Sequence, residues 1–206
     1  TVSENAWFAY GGLIAAPFGS VLEDGMRLRL QGGGGTYAYD GSMAVGGTDF
    51  DIRFLGRSTV TEALVGYQMR LGATTAKAYA GAVYDVRVVA PLAPGETPPE
   101  PEIGGKAVVE LWHDWSEGVW ASLDLVYETP FSAYQANGRA GYRLLPVLSL
   151  GIEAGTIGNA DYAALRLGLL AKWDTPYGEL TVTGGLSGDD IDASAPYGSL
   201  AVLTRF

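Results

Sequence analysis

The 206 residues contain no cysteine, so no disulfide framework holds the fold together, a usage compatible with an exported protein of the bacterial periplasm or outer membrane. Long apolar runs are missing too. The best candidate, Phe8 to Leu22, is interrupted by Gly11, Gly12, Pro17 and Gly19 and falls short of the roughly 18 residues that a membrane helix needs. A helical membrane protein is therefore disfavoured. Positive charge is scarce: 13 Lys+Arg stand against 23 Asp+Glu, a formal net charge of −10, which argues against nucleic acid as a partner. Histidine occurs once, at His113, and no metal-ligand spacing surrounds it, so neither a metal nor another cofactor is expected. No charged n-region or apolar h-region precedes the first strand, so any signal peptide is expected to have been removed ahead of Thr1.

Glycine is abundant, with 30 residues, and aromatics make up 11%, a composition suited to many strands and tight turns. The clearest strand is Tyr134 to Leu144. Tyr134, Ala136, Gly138, Ala140, Tyr142 and Leu144 alternate with Gln135, Asn137, Arg139, Gly141 and Arg143. After a turn at Leu145-Pro146, Leu148, Leu150, Ile152 and Ala154 alternate with Ser149, Gly151 and Glu153. The run from Tyr134 to Leu144 is close to the roughly 9–11 residues that a tilted strand needs to cross a hydrocarbon core. The same pattern recurs along the chain: Met26, Leu28 and Leu30 against Arg27, Arg29 and Gln31, and Leu165, Leu167 and Leu169 against Arg166 and Gly168. The expected architecture is an all-β, antiparallel, up-and-down transmembrane barrel, one domain over residues 1–206. It has twelve strands, or ten if Val45 to Phe54 is a loop. Asp40-Gly41, Gly72-Ala73, Leu145-Pro146 and Thr175-Pro176 are read as tight turns. Phe50, Ile52 and Phe54 are read as one face of a short third strand. Long loops, the Pro-rich Ala90 to Gly105 and the acidic Ser187 to Ala195, fall at the opposite end, as in outer-membrane barrels.

Alternation alone does not separate a soluble barrel from a membrane one; the position of the cations does. Arg27, Arg29, Arg53, Arg70, Lys77, Arg87, Lys106, Arg139, Arg143, Arg166, Lys172 and Arg205 all lie on polar strand faces, and Arg57 belongs to a loop. A cation on the lipid face costs about 2–4 kcal/mol at mid-depth, so this set must face an aqueous or paired interior. Asp51, Glu62, Asp85, Glu110, Asp124, Glu153 and Glu179 are the expected partners. The lumen is thus expected to be lined by Arg27, Arg29, Glu62, Arg70, Glu110, Trp112, Trp120, Asp124, Arg139, Arg143, Glu153, Arg166, Glu179 and Arg205. This lining is either an anion-attracting wall or a set of interleaved salt bridges, and a filled or narrow interior is the favoured reading.

The stretches GMRLRLQGGGGTYAYD, LVGYQMRLG followed by AYAGAVYD, GYR followed by GIEAGTIGNADYAALRLG, and the terminal APYGSLAVLTRF resemble the BcsS family, over most of the chain. The resemblance implies an outer-membrane barrel associated with bacterial cellulose biosynthesis, with an accessory role in making or exporting a glucan and no catalytic residues to carry over. Phe206, preceded at alternate positions by Thr204, Val202, Leu200 and Gly198, is similar to the C-terminal insertion signal of such barrels.

The residues admit other chemistry, each weighed against a plainer role. A lipid-A-modifying barrel would use a histidine with a serine and a carboxylate, and Asp114, Ser116 and Glu117 stand near His113; alternation, however, turns His113 toward lipid. Trp112 and Trp120, both inward on adjacent strands, either stack a sugar ring or plug the lumen. Asp189, Asp190 and Asp192 either hold calcium or form a solvated acidic loop. The four glycines Gly32 to Gly35 lack the following helix of a phosphate loop. The expectation is a non-enzymatic barrel in contact with outer-membrane lipid, with a glucan chain or cellulose-secretion proteins as partners. A general small-solute channel is the alternative.

Overall fold

A computed structural model describes residues 2–3, 5–45, 47–92, 97–115, 118–160, 162–188 and 195–204. The strands are β1 (Val2–Ser3), β2 (Ala6–Ala15), β3 (Gly25–Val45), β4 (Thr48–Leu71), β5 (Thr74–Ala90), β6 (Glu102–Asp114), β7 (Val119–Glu128), β8 (Tyr134–Leu145), β9 (Leu148–Gly158), β10 (Ala163–Thr175), β11 (Gly178–Gly188) and β12 (Ala195–Thr204). Each pairs antiparallel with its sequence neighbours, and β1 pairs with both β2 and β12, closing the sheet into a barrel. Closure satisfies backbone groups that hydrocarbon cannot.

Among the described residues the ring closes with twelve elements, but they are not the twelve strands expected. Eleven strands have ten residues or more, and the remaining element, β1, has two. Alongside residues 9–15 of β2 and 200–204 of β12, no ladder partner occurs on the seam side among the described residues. The short third strand expected from sequence is the first part of a 24-residue strand, β4, which continues through Glu62 to Leu71. Asp40-Gly41 lies inside β3 rather than in a turn, and the hairpin reverses between Val45 and Thr48. The ladder between β3 and β4 runs from Gly25↔Gln68 to Val45↔Thr48 without a register shift. This hairpin is therefore much longer than its neighbours. β6 begins at Glu102, inside the stretch Ala90 to Gly105 read from sequence as a loop. The tight turns at Gly72-Ala73, Pro146-Val147 and Pro176-Tyr177 connect β4–β5, β8–β9 and β10–β11.

The outer wall is apolar. Leu28, Leu30, Val65, Tyr67, Leu123, Tyr142, Leu150, Leu167, Leu169, Leu200 and Val202 are all exposed on it. The inner wall is identified by contacts that skip strands. Arg29 on β3 reaches Glu110 on β6, Tyr197 on β12 reaches Glu153 on β9, and Lys172 on β10 lies over Trp112 on β6. Such pairs meet only across the enclosed space. Period-two alternation then assigns the remaining inward positions.

Inward rings are seated on cross-strand glycines. Tyr79 faces Gly66 and Trp120 faces Gly141 in the ladders. A Cβ built at Gly141 would stand 2.5 Å from Trp120 Cζ2. The absence of a side chain at that position is what leaves room for the indole against the strand.

Candidate functional site

The candidate site is the lumen wall, whose charged side chains collect into three groups. In the first, Arg29 bridges Glu62 and Glu110 at 3.0 Å each. Lys77 adds a second cation to Glu110 at 3.1 Å. Lys106 pairs with Glu62 and, at 2.6 Å, with Glu128. Five strands, β3 to β7, contribute.

The second group centres on Glu153, which is buried. Its Oε2 accepts from Arg139 Nε at 2.6 Å and Asn137 Nδ2 at 3.1 Å, and its Oε1 accepts from the Tyr197 hydroxyl at 3.0 Å. Arg139 also approaches Asp124 at 3.6 Å. A buried carboxylate is tolerable only when its lone pairs are used in this way.

In the third, Lys172 pairs with Glu179 at 2.9 Å and Asp174 at 3.3 Å. Its ammonium lies 4.3 Å from the Trp112 ring centre and 5.3 Å from that of Trp120. The two indoles are stacked with centroids 4.7 Å apart, and Trp120 is only 1% exposed. The pair is thus packed between Lys172 and the wall, so Trp120 offers no open face to a sugar.

The other expected lining residues stand apart from these groups. Arg27 is buried, and its guanidinium donates to the carbonyls of Ser20, Val21 and Glu23, bracing the β2–β3 loop. Arg70 meets Asp24 at 3.5 Å at the exposed end of β4, and Arg143 meets Asp114 at 3.5 Å. Arg166 has no carboxylate partner among the described residues and lies 5.8 Å from the Tyr197 ring centre. Arg205 lies outside the described residues. Most lumen cations are thus paired with carboxylates rather than forming a bare positive wall. Glu128, Asn137 and Tyr197, absent from the expected lining, belong to it. Their strand parity was readable, but the partners across the barrel depend on long-range register.

Expectations about charge are corrected at Asp51, Arg53 and Arg57, the last lying in β4 rather than in a loop. Because β4 is continuous, Phe50, Ile52 and Phe54 share the face of Glu62, and Asp51, Arg53 and Arg57 point the other way. Arg53 therefore does not line the lumen; it donates to Asn5 Oδ1 at 2.8 Å on the exposed side. Asp51 is exposed and pairs with no inward cation among the described residues.

His113 carries no triad among the described residues. Its Nδ1 lies 2.7 Å from Thr74 Oγ1 and its ring meets Trp115 edge-on, 4.3 Å between centroids. The neighbouring Asp114 faces inward, accepting from Trp112 Nε1 at 2.8 Å. Ser116 and Glu117 lie outside the described residues, as do Asp189, Asp190 and Asp192, the candidate calcium ligands. Among the described residues, no group of three or more acidic, histidine or cysteine side chains is arranged to hold a metal ion.

The model of a family described as cellulose biosynthesis protein BcsS matches residues 1–206. No curated protein matches the chain. Among solved structures, a KdgM porin is 9% identical, with 98% of this chain and 99% of that chain covered at a TM-score of 0.47. A KdgM porin in complex with disordered oligogalacturonate is 10% identical over the same shares, at 0.48. So distant a likeness says nothing about what this chain carries.

Proposed function

The chain belongs to the BcsS family of cellulose biosynthesis proteins, and from that premise we propose that it is a non-enzymatic barrel of the bacterial outer membrane, an accessory or passive conduit in glucan export. The observation that carries this reading is the sorting of charge. Arg29, Lys106, Arg139 and Lys172 turn inward onto carboxylates, while Leu167, Leu169 and Leu200 cover the outside. That arrangement is stable where the exterior medium is hydrocarbon and the centre is polar. Glucan and the proteins of cellulose secretion are its partners in this reading. The outward, threonine-bonded His113 supports an absence of lipid-modifying chemistry.

Deleting the chain from a cellulose-producing host is expected to lower cell-surface glucan, read by dye binding, while synthase activity in isolated inner membranes stays unchanged. Returning the His113→Ala variant restores the glucan and leaves lipid A as it was. Unchanged surface glucan after deletion would remove the cellulose role. Steady ion conductance of the reconstituted barrel, without a glucan phenotype, would favour a general small-solute channel instead. Altered lipid A in the His113→Ala strain would point to an enzyme.

A further inference from the structure

The long β3–β4 hairpin reverses the polarity rule of the barrel. Along β4, the outward residues Leu71, Met69, Tyr67, Val65 and Ala63 are followed by Thr61, Thr59, Arg57, Leu55, Arg53, Asp51 and Asp49. Charges of both signs on the outer face mark a segment that has left hydrocarbon, where a cation costs about 2–4 kcal/mol. Over that same segment the inward face becomes aromatic, with Tyr37, Tyr39 and Phe54. Water on both sides gives these rings no lipid to face, and an apolar row kept in water signals a ligand surface.

The row continues down into the barrel. On β2, Phe8 and Tyr10 share the inward parity, because Tyr10 pairs with Gly33 and Ile14 with the inward Arg29. Phe8 and Tyr10 are nearly parallel, with centroids 6.4 Å apart at 14°. Tyr37 and Tyr39 repeat that spacing at 6.3 Å and 14°, and Tyr39 and Phe54 follow at 5.1 Å and 17°. Phe8 faces Gly35, Tyr10 faces Gly33 and Tyr37 faces Gly56 across the ladders. A Cβ at any of these glycines would strike the ring above it. The glycine run thus serves as a floor on which rings lie flat. Tyr10 is 57% and Tyr39 47% exposed, unlike the lysine-covered Trp120. From the level of Gly33 to that of Tyr39 the row extends about 20 Å along the strand, six residues at a strand's rise.

We propose that Tyr10, Phe8, Tyr37, Tyr39 and Phe54 form a track on which a neutral, flat-ribbon β-linked glucan slides between the lumen and the long-loop mouth. The choice of ligand rests on the conduit reading above. Pyranose rings of such a glucan present C–H faces that stack on aromatic rings, as bases do. Rings that are nearly parallel within each neighbouring pair, 5.1–6.4 Å between centroids, suit a straight ribbon better than a coiled α-linked chain. Several weak, equivalent contacts also let a chain advance without being trapped. Arg87, neutralised by Asp85 at 2.9 Å, provides hydrogen-bonding groups on the inward face of β5 without adding a net charge.

The test is cellohexaose binding to the full chain in detergent micelles, by titration calorimetry, with maltohexaose as comparator and heat-shifted gel mobility confirming each barrel is folded. Cellohexaose is expected to bind and maltohexaose not. Tyr39→Ala and Phe54→Ala, both outside hydrocarbon, should each weaken binding about tenfold, whereas Tyr39→Phe keeps wild-type affinity because the ring carries the contact. Absence of cellohexaose binding, equal binding by the alanine variants, or equal loss in Tyr39→Phe and Tyr39→Ala would overturn the track. Ring-dependent binding without any effect of deletion on surface glucan would uphold the track and sink the export role. A glucan phenotype with ring-independent binding would do the reverse.

Discussion

Replacing Glu153 by alanine is expected to cost about 3–5 kcal/mol of folding stability, the range for breaking a buried ion pair from one side. Its two oxygens serve three donors, Arg139 and Asn137 on β8 and Tyr197 on β12. Removing the carboxylate leaves Arg139 with only Asp124, at 3.6 Å, and strands the Tyr197 hydroxyl in the interior. Glu153→Gln should lose less, because the amide oxygen still accepts, although its NH2 group then confronts a donor. Urea titration of barrels folded in lipid vesicles, read by gel mobility, measures the difference. A loss below about 1 kcal/mol, typical of an exposed pair, would show that water compensates Arg139 and that the centre is open at this depth.

The second large effect concerns a residue that touches almost nothing. Leu169 sits at the middle of β10 and is 71% exposed. In a water-soluble protein an exposed Leu→Arg change typically lies within about 0.5 kcal/mol of neutral. Facing hydrocarbon, the same change costs about 2–4 kcal/mol. Leu169→Arg is therefore expected to destabilise the vesicle-folded barrel by the larger amount, with Leu169→Ala as the control for lost side-chain area. An effect near zero would place water against this wall and undo the membrane reading, whatever the fate of the glucan role.

Both expectations trace back to alternation that is legible in the chain. Tyr134–Leu144 and Leu148–Ala154 read directly as strands because apolar and polar residues strictly alternate there. The inward direction of Arg139 and Glu153 follows from the same rule. The rule fails at residues 40–57 for a physical reason. It equates apolar with outward, which holds only while the exterior is hydrocarbon. Above that band Phe50, Ile52 and Phe54 keep the parity of Glu62, and nothing local in the sequence announces the change of medium. Asp40-Gly41 compounded the error, since Asp-Gly is a strong hairpin signal. Here it lies within a ladder, Gly41 pairing with Ile52 and Asp40 with Arg53. The paired carboxylates were legible as a class. That Glu62 serves Lys106 from two strands away, and Glu153 serves Tyr197 from three, depends on barrel curvature that no local pattern carries.

The two-residue β1 has a mechanical corollary. Among the described residues, every other joint in the cylinder is a ladder of nine or more paired positions, whereas two residues, Val2 and Ser3, join the last strand to the first long one. A hoop yields at its shortest weld, and each backbone hydrogen bond kept there is worth several kcal/mol where no water can replace it. Among the described residues, lateral parting of the wall therefore meets the least resistance at this joint.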